Sequence, residues 1–161
     1  MSINVVFKII LMATTNYITQ RTQKARDLFS GPYNCAQSVA AAFNDILKKD
    51  DDEVFRLMSG FGFGMGGERS VCGAVTGGIF VISSTVENPA QREELYDKVF
   101  YLISQFKKQN DGNLHCFHLV GKDPSREEFN TICPLLLEKV ILLVEKIIQS
   151  RTPKTPKPLN P

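Results

Sequence analysis

The chain has 161 residues, enough for one domain that buries a core, and its 43% hydrophobic and 22% charged content is ordinary for a globular protein. Three of the charges behind its formal net charge of +2 lie in the Pro-rich segment 151–161, so the rest of the chain is close to neutral. This balance excludes a broad basic surface for nucleic acid, and no aromatics interleaved with lysines indicate one.

The first residues resemble a secretory signal peptide at first sight. Lys8 interrupts the apolar run, however, and neither a basic leader nor a clear small-residue cleavage site is present in residues 1–20. Met12 offers an alternative start of translation, and we interpret residues 1–16 as an extension that precedes the domain. No stretch reaches the roughly 20 apolar residues that span a bilayer, so we expect a cytoplasmic protein without a membrane span.

Apolar residues at helical spacing recur along most of the remaining chain. Gly31-Pro32 breaks the first helix, Asn34 is expected to cap the second, and the acidic run Asp50–Glu53 suits the start of the third. The predicted helices cover residues 17–29, 35–49, 51–59, 90–109, 124–129 and 134–150, and a segment of small and apolar residues lies at 71–86.

The last predicted helix is apolar around most of its circumference. Its charged pairs, Glu138-Lys139 and Glu145-Lys146, stand seven residues apart, and such a helix lies at the centre of a bundle or partly at a subunit interface. We therefore expect a homo-oligomer that associates through this helix. The complete prediction is an all-α, single-domain bundle of about five to seven helices at residues 17–150, followed by a disordered Pro/Lys tail at 151–161.

Eight of the eleven glycines lie within residues 60–78. The segment 62–67 satisfies the G-x-G-x-x-G pattern of dinucleotide sites, and Glu87 stands at the distance of its acidic partner. The mechanism of that pattern needs a preceding strand and a βαβ unit, whereas the preceding segment here is predicted to be helical. We therefore interpret the glycines as a loop between helices whose backbone lets other groups approach closely.

The four cysteines, Cys35, Cys72, Cys116 and Cys133, each lie near a predicted helix start. Backbone N–H groups and the helix dipole at such a position favour the thiolate, which is the form that attacks disulfides and binds metals. A cysteine on an apolar helix is otherwise most often a small hydrophobe, and Cys35 beside Ala36 fits that alternative. A static disulfide framework is disfavoured because the cytoplasm keeps thiols reduced.

Cys72 has the most informative neighbours. Gly73, Ala74 and Gly77 remove side-chain bulk around it, so that a partner sulfur, another helix or a ligand can approach its backbone. These three residues are therefore the candidate binding backbone of the site, and Cys72 is its first candidate redox group.

Two histidines flank Cys116. His115 and His118 are auxiliary candidates for a metal site or for stabilising a thiolate, although at helical spacing they share one face and could simply pack there. Cys133 precedes Pro134, where the last helix is expected to begin.

The ordered set of cysteines resembles a redox-active family named for its motif pattern, C_GCAxxG_C_C. That family has an isolated cysteine, a Cys-Gly-Ala-x-x-Gly core and two later cysteines. This chain has them in the same order, as Cys35 in NCAQSV, the core CGAVTG at 72–77, Cys116 before LVGKD, and Cys133 in CPLLLEKV. The resemblance covers residues 25–148 and implies a helical domain in which the cysteines have a redox or metal-binding role. The longer N-terminus, the Pro-rich tail and the flanking histidines depart from the pattern.

Three hypotheses remain open for the four thiols. A thiol-based oxidoreductase could cycle them between dithiol and disulfide with an unknown redox partner. Four cysteines allow three pairings, and the most economical one joins Cys35 to Cys72 and Cys116 to Cys133. The thiolates could instead hold zinc or an iron–sulfur cluster, although they lack the close pairs of zinc ligands. The third hypothesis is a non-enzymatic interaction module with inert cysteines. Covalent c-type haem is excluded because no Cys-x-x-Cys-His is present.

Overall fold

The computed structural model describes residues 3–149, and within that range it is all-α, as the sequence predicts. The side chains of residues 3–11, 13, 14 and 89 lie outside the description, as does the predicted tail at 151–161. Two 3-10 helices, Ser59–Phe61 and Pro89–Gln91, accompany the α-helices. The α-helices are α1 (Ile3–Ser30), α2 (Cys35–Ala41), α3 (Asn44–Leu47), α4 (Asp51–Met58), α5 (Gly62–Met65), α6 (Gly73–Ser84), α7 (Arg92–Lys108), α8 (Cys116–Val120) and α9 (Arg126–Gln149).

The longer helices agree in number with the prediction. Six helices in the described range have seven or more residues, and α3, α5 and α8 are segments of four or five residues. Helix α1 is continuous across the boundary that the sequence suggests between residues 16 and 17. The division into an extension and a domain stays a prediction.

The expected start of the last helix at Pro134 is wrong, because α9 begins at Arg126 and passes through this proline. A capping box starts the helix: the Glu128 N–H donates to Ser125 Oγ at 3.2 Å, and the Ser125 N–H donates to the Glu128 carboxylate at 2.7 Å. A proline inside a helix costs about 3 kcal/mol. The apolar side chains that α9 buries after it, Leu136 and Leu137 among them, offset that cost.

Helix α6 lies at the centre of the bundle, against α2, α7 and α9. Its glycines make this possible. A Cβ at Gly77 would lie 2.6 Å from the carbonyl oxygen of Ala36 in α2, and one at Gly78 would lie 2.7 Å from a methyl group of Val140 in α9. Because α6 has no side chain at these two positions, its backbone lies directly against both neighbours, and this close packing places the start of α6 beside the start of α2.

Helix α9 is buried along most of its length but leaves Leu135 and Leu142 exposed. Helix α9 thus packs within the bundle, against α1, α6 and α7. Self-association through its exposed side stays a prediction. None of the described helices is long and apolar enough to cross a membrane.

Candidate thiol site

All four cysteines line one small cavity, although they come from four different parts of the chain. Its volume is about 20 Å³, which leaves room for little more than one water molecule. The remaining lining residues are apolar or lack a side chain: Phe29, Phe63, Gly73, Ala74, Val120, Phe129, Leu136 and Leu137. All four sulfurs belong to free cysteines, and each residue is only 5–9% exposed. We call this space the cysteine cavity.

Cys35 is placed by the N-terminal cap of α2. The side-chain oxygen of Asn34 accepts the N–H groups of Ala36 and Gln37, both at 3.0 Å, and the Gln37 side chain accepts the Asn34 N–H at 2.9 Å. A Cβ at Gly62 would lie 2.4 Å from Asn34 Cγ, so the glycine-rich segment packs directly on this cap. The predicted capping role of Asn34 is confirmed, and it holds Cys35 as the first residue of the helix.

Cys72 and Cys116 reach the cavity through one antiparallel bridge between the residues that precede them, Val71 and His115. The N–H of each cysteine donates to a backbone carbonyl across the bridge, at 3.0 Å for Cys72 and 2.7 Å for Cys116. The bridge joins the start of α6 to the start of α8. These two cysteines therefore lie at helix starts, as the sequence predicts.

The glycine after the cysteine of the Cys-Gly-Ala-x-x-Gly core, Gly73, lies where a side chain would not fit. A Cβ at this position would lie 2.3 Å from the Cys35 sulfur and 2.9 Å from the Phe61 carbonyl oxygen. The space beside Cys72 that a side chain would occupy is thus filled by the sulfur of Cys35. Ala74 also lines the cavity, whereas Gly77 acts one turn further along by letting α2 approach.

Cys133 comes from the interior of α9, not from a helix start, since the helix continues through Pro134. Phe129 precedes it by one turn and therefore lies on the same face. Both residues line the cysteine cavity. Cys133 thus joins the other three cysteines through the face of a long helix.

The order of the cysteines and their helical setting can be compared with known families. The family model described as "Putative redox-active protein (C_GCAxxG_C_C)" matches residues 33–147, which include all four cysteines. The chain belongs to the C_GCAxxG_C_C family. No curated protein and no solved structure gives a significant match. The resemblance inferred from the cysteine order is therefore confirmed for this member of the C_GCAxxG_C_C family.

Burial controls the ionisation of these thiols. Burial raises the pKa of Cys35 and of Cys72, because the apolar cavity disfavours a thiolate. For the same reason it raises the pKa of Cys133, to about 12. Repulsion between neighbouring thiolates raises the pKa values further: Cys35 acts on both Cys72 and Cys133. Near neutral pH these three side chains are thus held as neutral thiols.

Nearby polar and charged groups lower the pKa values of these thiols. A backbone hydrogen bond from Phe63 lowers the pKa of Cys35, and those from Ala74 and Val75 lower the pKa of Cys72, without overcoming burial. The Arg69 guanidinium also lowers the pKa of Cys133. This arginine donates to the Gly121 carbonyl oxygen at 2.7 Å, and its guanidinium carbon lies 5.2 Å from the centre of the Phe129 ring. A positive charge therefore lies near the cavity.

The raised pKa of Cys133 predicts a loss of stability at alkaline pH. Between the ordinary cysteine value of 9.0 and about 12, the unfolded chain loses this proton while the folded chain retains it. The contribution of this proton to the free energy of unfolding is therefore fully present below pH 9.0. Above that pH the free energy of unfolding falls by about 1.4 kcal/mol per pH unit for one such thiol. Urea unfolding at several alkaline pH values should show this decline, and a shallower one in Cys133→Ser. Equal slopes in the two proteins would contradict the prediction.

The histidines lie apart from the cavity. His115 and His118 are both exposed, their ring centres are 6.0 Å apart, and neither lines the cysteine cavity. Within residues 3–149, no group of three or more His, Cys, Asp or Glu side chains is arranged to hold a metal ion. The metal hypothesis therefore finds no support in the side-chain arrangement.

The sequence pattern does not reveal the place of three aromatic residues and one cation at this site. Phe29, Phe63 and Phe129 close the cavity, and Arg69 supplies the nearby charge. Phe63 could have been noticed as a large apolar residue within a glycine-rich loop. Phe29, Phe129 and Arg69 carry no signal in the sequence that separates them from ordinary core or surface residues.

Proposed function

We propose that this member of the C_GCAxxG_C_C family is a thiol–disulfide redox protein whose four cysteines form one exchange unit. The observation that carries the proposal is their convergence, as free thiols, in a single cavity whose other lining groups are chemically inert. Neighbouring cysteines 37, 44 and 17 positions apart in the chain come together there. Cysteines that served only as small hydrophobic residues would not need to lie together and could be scattered through the core. The description of the family as redox-active supports the same function.

The reaction proposed is thiol–disulfide exchange. A thiol of the cluster loses its proton as its sulfur attacks a disulfide of the redox partner. This gives a mixed disulfide, and the partner thiolate that leaves takes up a proton. A second cysteine of the cluster then attacks the mixed disulfide, closes an internal disulfide and releases the other partner thiolate. Two cluster thiols are oxidised and one partner disulfide is reduced, so the electrons balance. The small apolar cavity restricts water and peroxide, which limits oxidation of a sulfur beyond the disulfide level.

A redox titration of the full chain tests this function. Protein purified without oxygen is equilibrated in glutathione buffers of increasing potential, free thiols are blocked with iodoacetamide after acid quenching, and disulfides are located by mass spectrometry. We expect thiols to be lost in pairs, each with a defined midpoint. Cys72→Ser and the other three single serine variants should each lose the disulfide in which the replaced cysteine takes part.

Two outcomes would contradict the proposal. Four thiols that remain free in the folded protein at every potential, while the urea-unfolded chain oxidises, would indicate inert core cysteines. Stoichiometric iron and sulfide, or zinc, in the protein purified without oxygen would favour the metal hypothesis instead. Thiol pairing in metal-free protein would support the exchange unit.

A further inference from the structure

A second and larger concavity adjoins the cysteine cavity on its outer side. It has a volume of about 420 Å³, within the range of small-molecule sites. Three of its lining residues, Phe29, Phe63 and Phe129, also line the cysteine cavity, so these rings separate the two spaces. We call the outer space the aromatic cleft. Its other lining residues are Gly31, Pro32, Tyr33, Asn34, Pro124, Arg126 and Asn130.

The lining of the aromatic cleft defines the chemistry of a ligand. Four aromatic rings, those of Tyr33 and the three shared phenylalanines, offer flat apolar contact. Among the described residues of the lining, Arg126 alone is charged, and it is exposed. No carboxylate among residues 3–149 forms a salt bridge with it. The cleft therefore fits a small apolar or aromatic molecule that carries an anionic group.

The wall between the two spaces depends on Phe63. The residue is 50% exposed, and its ring meets that of Phe129 edge to face with centres 5.3 Å apart. Its φ of +51° is a left-handed conformation that is unfavourable for a large side chain. Gly64 and Gly66, which follow it, also have positive φ and adopt this conformation without such strain. Phe63 is thus a strained, half-exposed cover between the two spaces.

Two cysteines lie directly behind this wall. Phe63 and Cys35 both line the cysteine cavity, and the Phe63 backbone lowers the pKa of the Cys35 thiol. Cys133 follows Phe129 by one turn on the same helix face. Cys35 and Cys133 line the same small cavity.

We propose that the aromatic cleft binds a small aromatic disulfide that bears a carboxylate, and that Phe63 opens to bring its S–S bond to Cys35 and Cys133. One of these thiols loses its proton as its sulfur attacks the bound disulfide, and the half that leaves takes up a proton and is released as a thiol. The other attacks the resulting mixed disulfide, forms the Cys35–Cys133 bond and releases the second half. The step oxidises two thiols and reduces one disulfide. This inference rests on the proposed redox function and gives that function a substrate class.

Reaction rates with two disulfide reagents test the charge selection. Dithiobis(nitrobenzoate) is aromatic and anionic, whereas dithiodipyridine is aromatic and neutral. We expect Arg126→Gln to slow the anionic reagent about fivefold at low ionic strength, with the difference shrinking as salt screens the charge, and to leave the neutral reagent unaffected. Arg56→Gln removes an exposed arginine that does not line the cleft and is the matched control. Equal effects of the two variants would overturn the proposal.

The cover is tested with Phe63→Ala. We expect this variant to react about tenfold faster with both reagents, because access to the thiols no longer needs the ring to move. Tyr96→Ala, which removes a similarly exposed ring outside both spaces, should leave the rates unchanged. Peptide mapping after brief reaction should find the Cys35–Cys133 disulfide first. Unchanged rates in Phe63→Ala, or a first disulfide between other cysteines, would overturn this part.

Binding of nitrobenzoate, which has no disulfide, separates this inference from the redox function. We expect it to shift the NMR signals of Tyr33 and Phe129 in the wild type and to bind more weakly to Arg126→Gln. If nitrobenzoate binds but the thiols never oxidise, the cleft is a binding site and the proposed redox function is wrong. If the thiols oxidise but nitrobenzoate does not bind and the charge of the reagent has no effect, the redox function stands and the binding site is wrong.

Discussion

Replacing Gly73 by alanine is expected to lower the free energy of unfolding by about 3 kcal/mol. In a helix the change would ordinarily stabilise by about 1 kcal/mol. Here the added Cβ would lie 2.3 Å from the Cys35 sulfur and 2.9 Å from the Phe61 carbonyl oxygen, distances at which atoms overlap. The overlap therefore outweighs the gain in helix propensity and makes the substitution destabilising. Urea unfolding measures the change, and thiol-reaction rates should change with it because the Cys35 sulfur must move.

Gly60 provides the control for this substitution. A Cβ there would meet nothing within 4 Å, so Gly60→Ala should be neutral or slightly stabilising. Combining Gly73→Ala with Cys35→Ala should cost less than the sum of the single changes, because the sulfur is absent, while the contact with the Phe61 carbonyl remains. Additive effects, or equal stabilities of the Gly60 and Gly73 variants, would show that the space beside Cys72 is not filled by Cys35.

Local signals in the sequence were enough for the helices and for some of the site. Asn34 precedes a run of apolar residues at helical spacing and carries an acceptor side chain, so both the cap and the position of Cys35 follow from residues close in the chain. The pattern predicts two helices, at 124–129 and from Pro134, whereas α9 begins at the capping box of Ser125 and Glu128 and continues through the proline. Packing of α9 against the bundle outweighs the local cost of Pro134, and such tertiary terms are not visible in a local pattern.

The convergence of the cysteines depends on contacts between distant residues, and no local pattern contains them. The bridge between Val71 and His115 joins segments 44 positions apart, and the place of Cys35 depends on the lack of a side chain at Gly73. The family resemblance predicted that the four cysteines act together but did not give their arrangement. The aromatic wall was missed for the same reason, because Phe29, Phe63 and Phe129 come from three separate segments.

Replacing Glu145 by alanine is expected to destabilise the protein by about 3 to 5 kcal/mol. Its side chain is 4% exposed and accepts a hydrogen bond from Arg21, whose side chain is 8% exposed. The Arg21 guanidinium also lies 4.5 Å from the centre of the Phe43 ring and pairs with Asp45 at 2.5 Å. Asp45 is 55% exposed, so it cannot replace the buried carboxylate. The variant therefore leaves much of a buried positive charge uncompensated between α1 and α9, and urea unfolding would measure the loss.

The same pair of helices provides the control for this loss. Arg26 and Glu138 also join α1 to α9, at 2.5 Å, but both side chains are 41% exposed. Water solvates either charge when its partner is removed, so Glu138→Ala should cost no more than about 1 kcal/mol. Replacing Arg21 and Glu145 together by Met and Leu should recover most of the stability, because an apolar pair leaves no buried charge behind. If Glu145→Ala and Glu138→Ala have equal effects, burial does not set the importance of the Arg21–Glu145 pair.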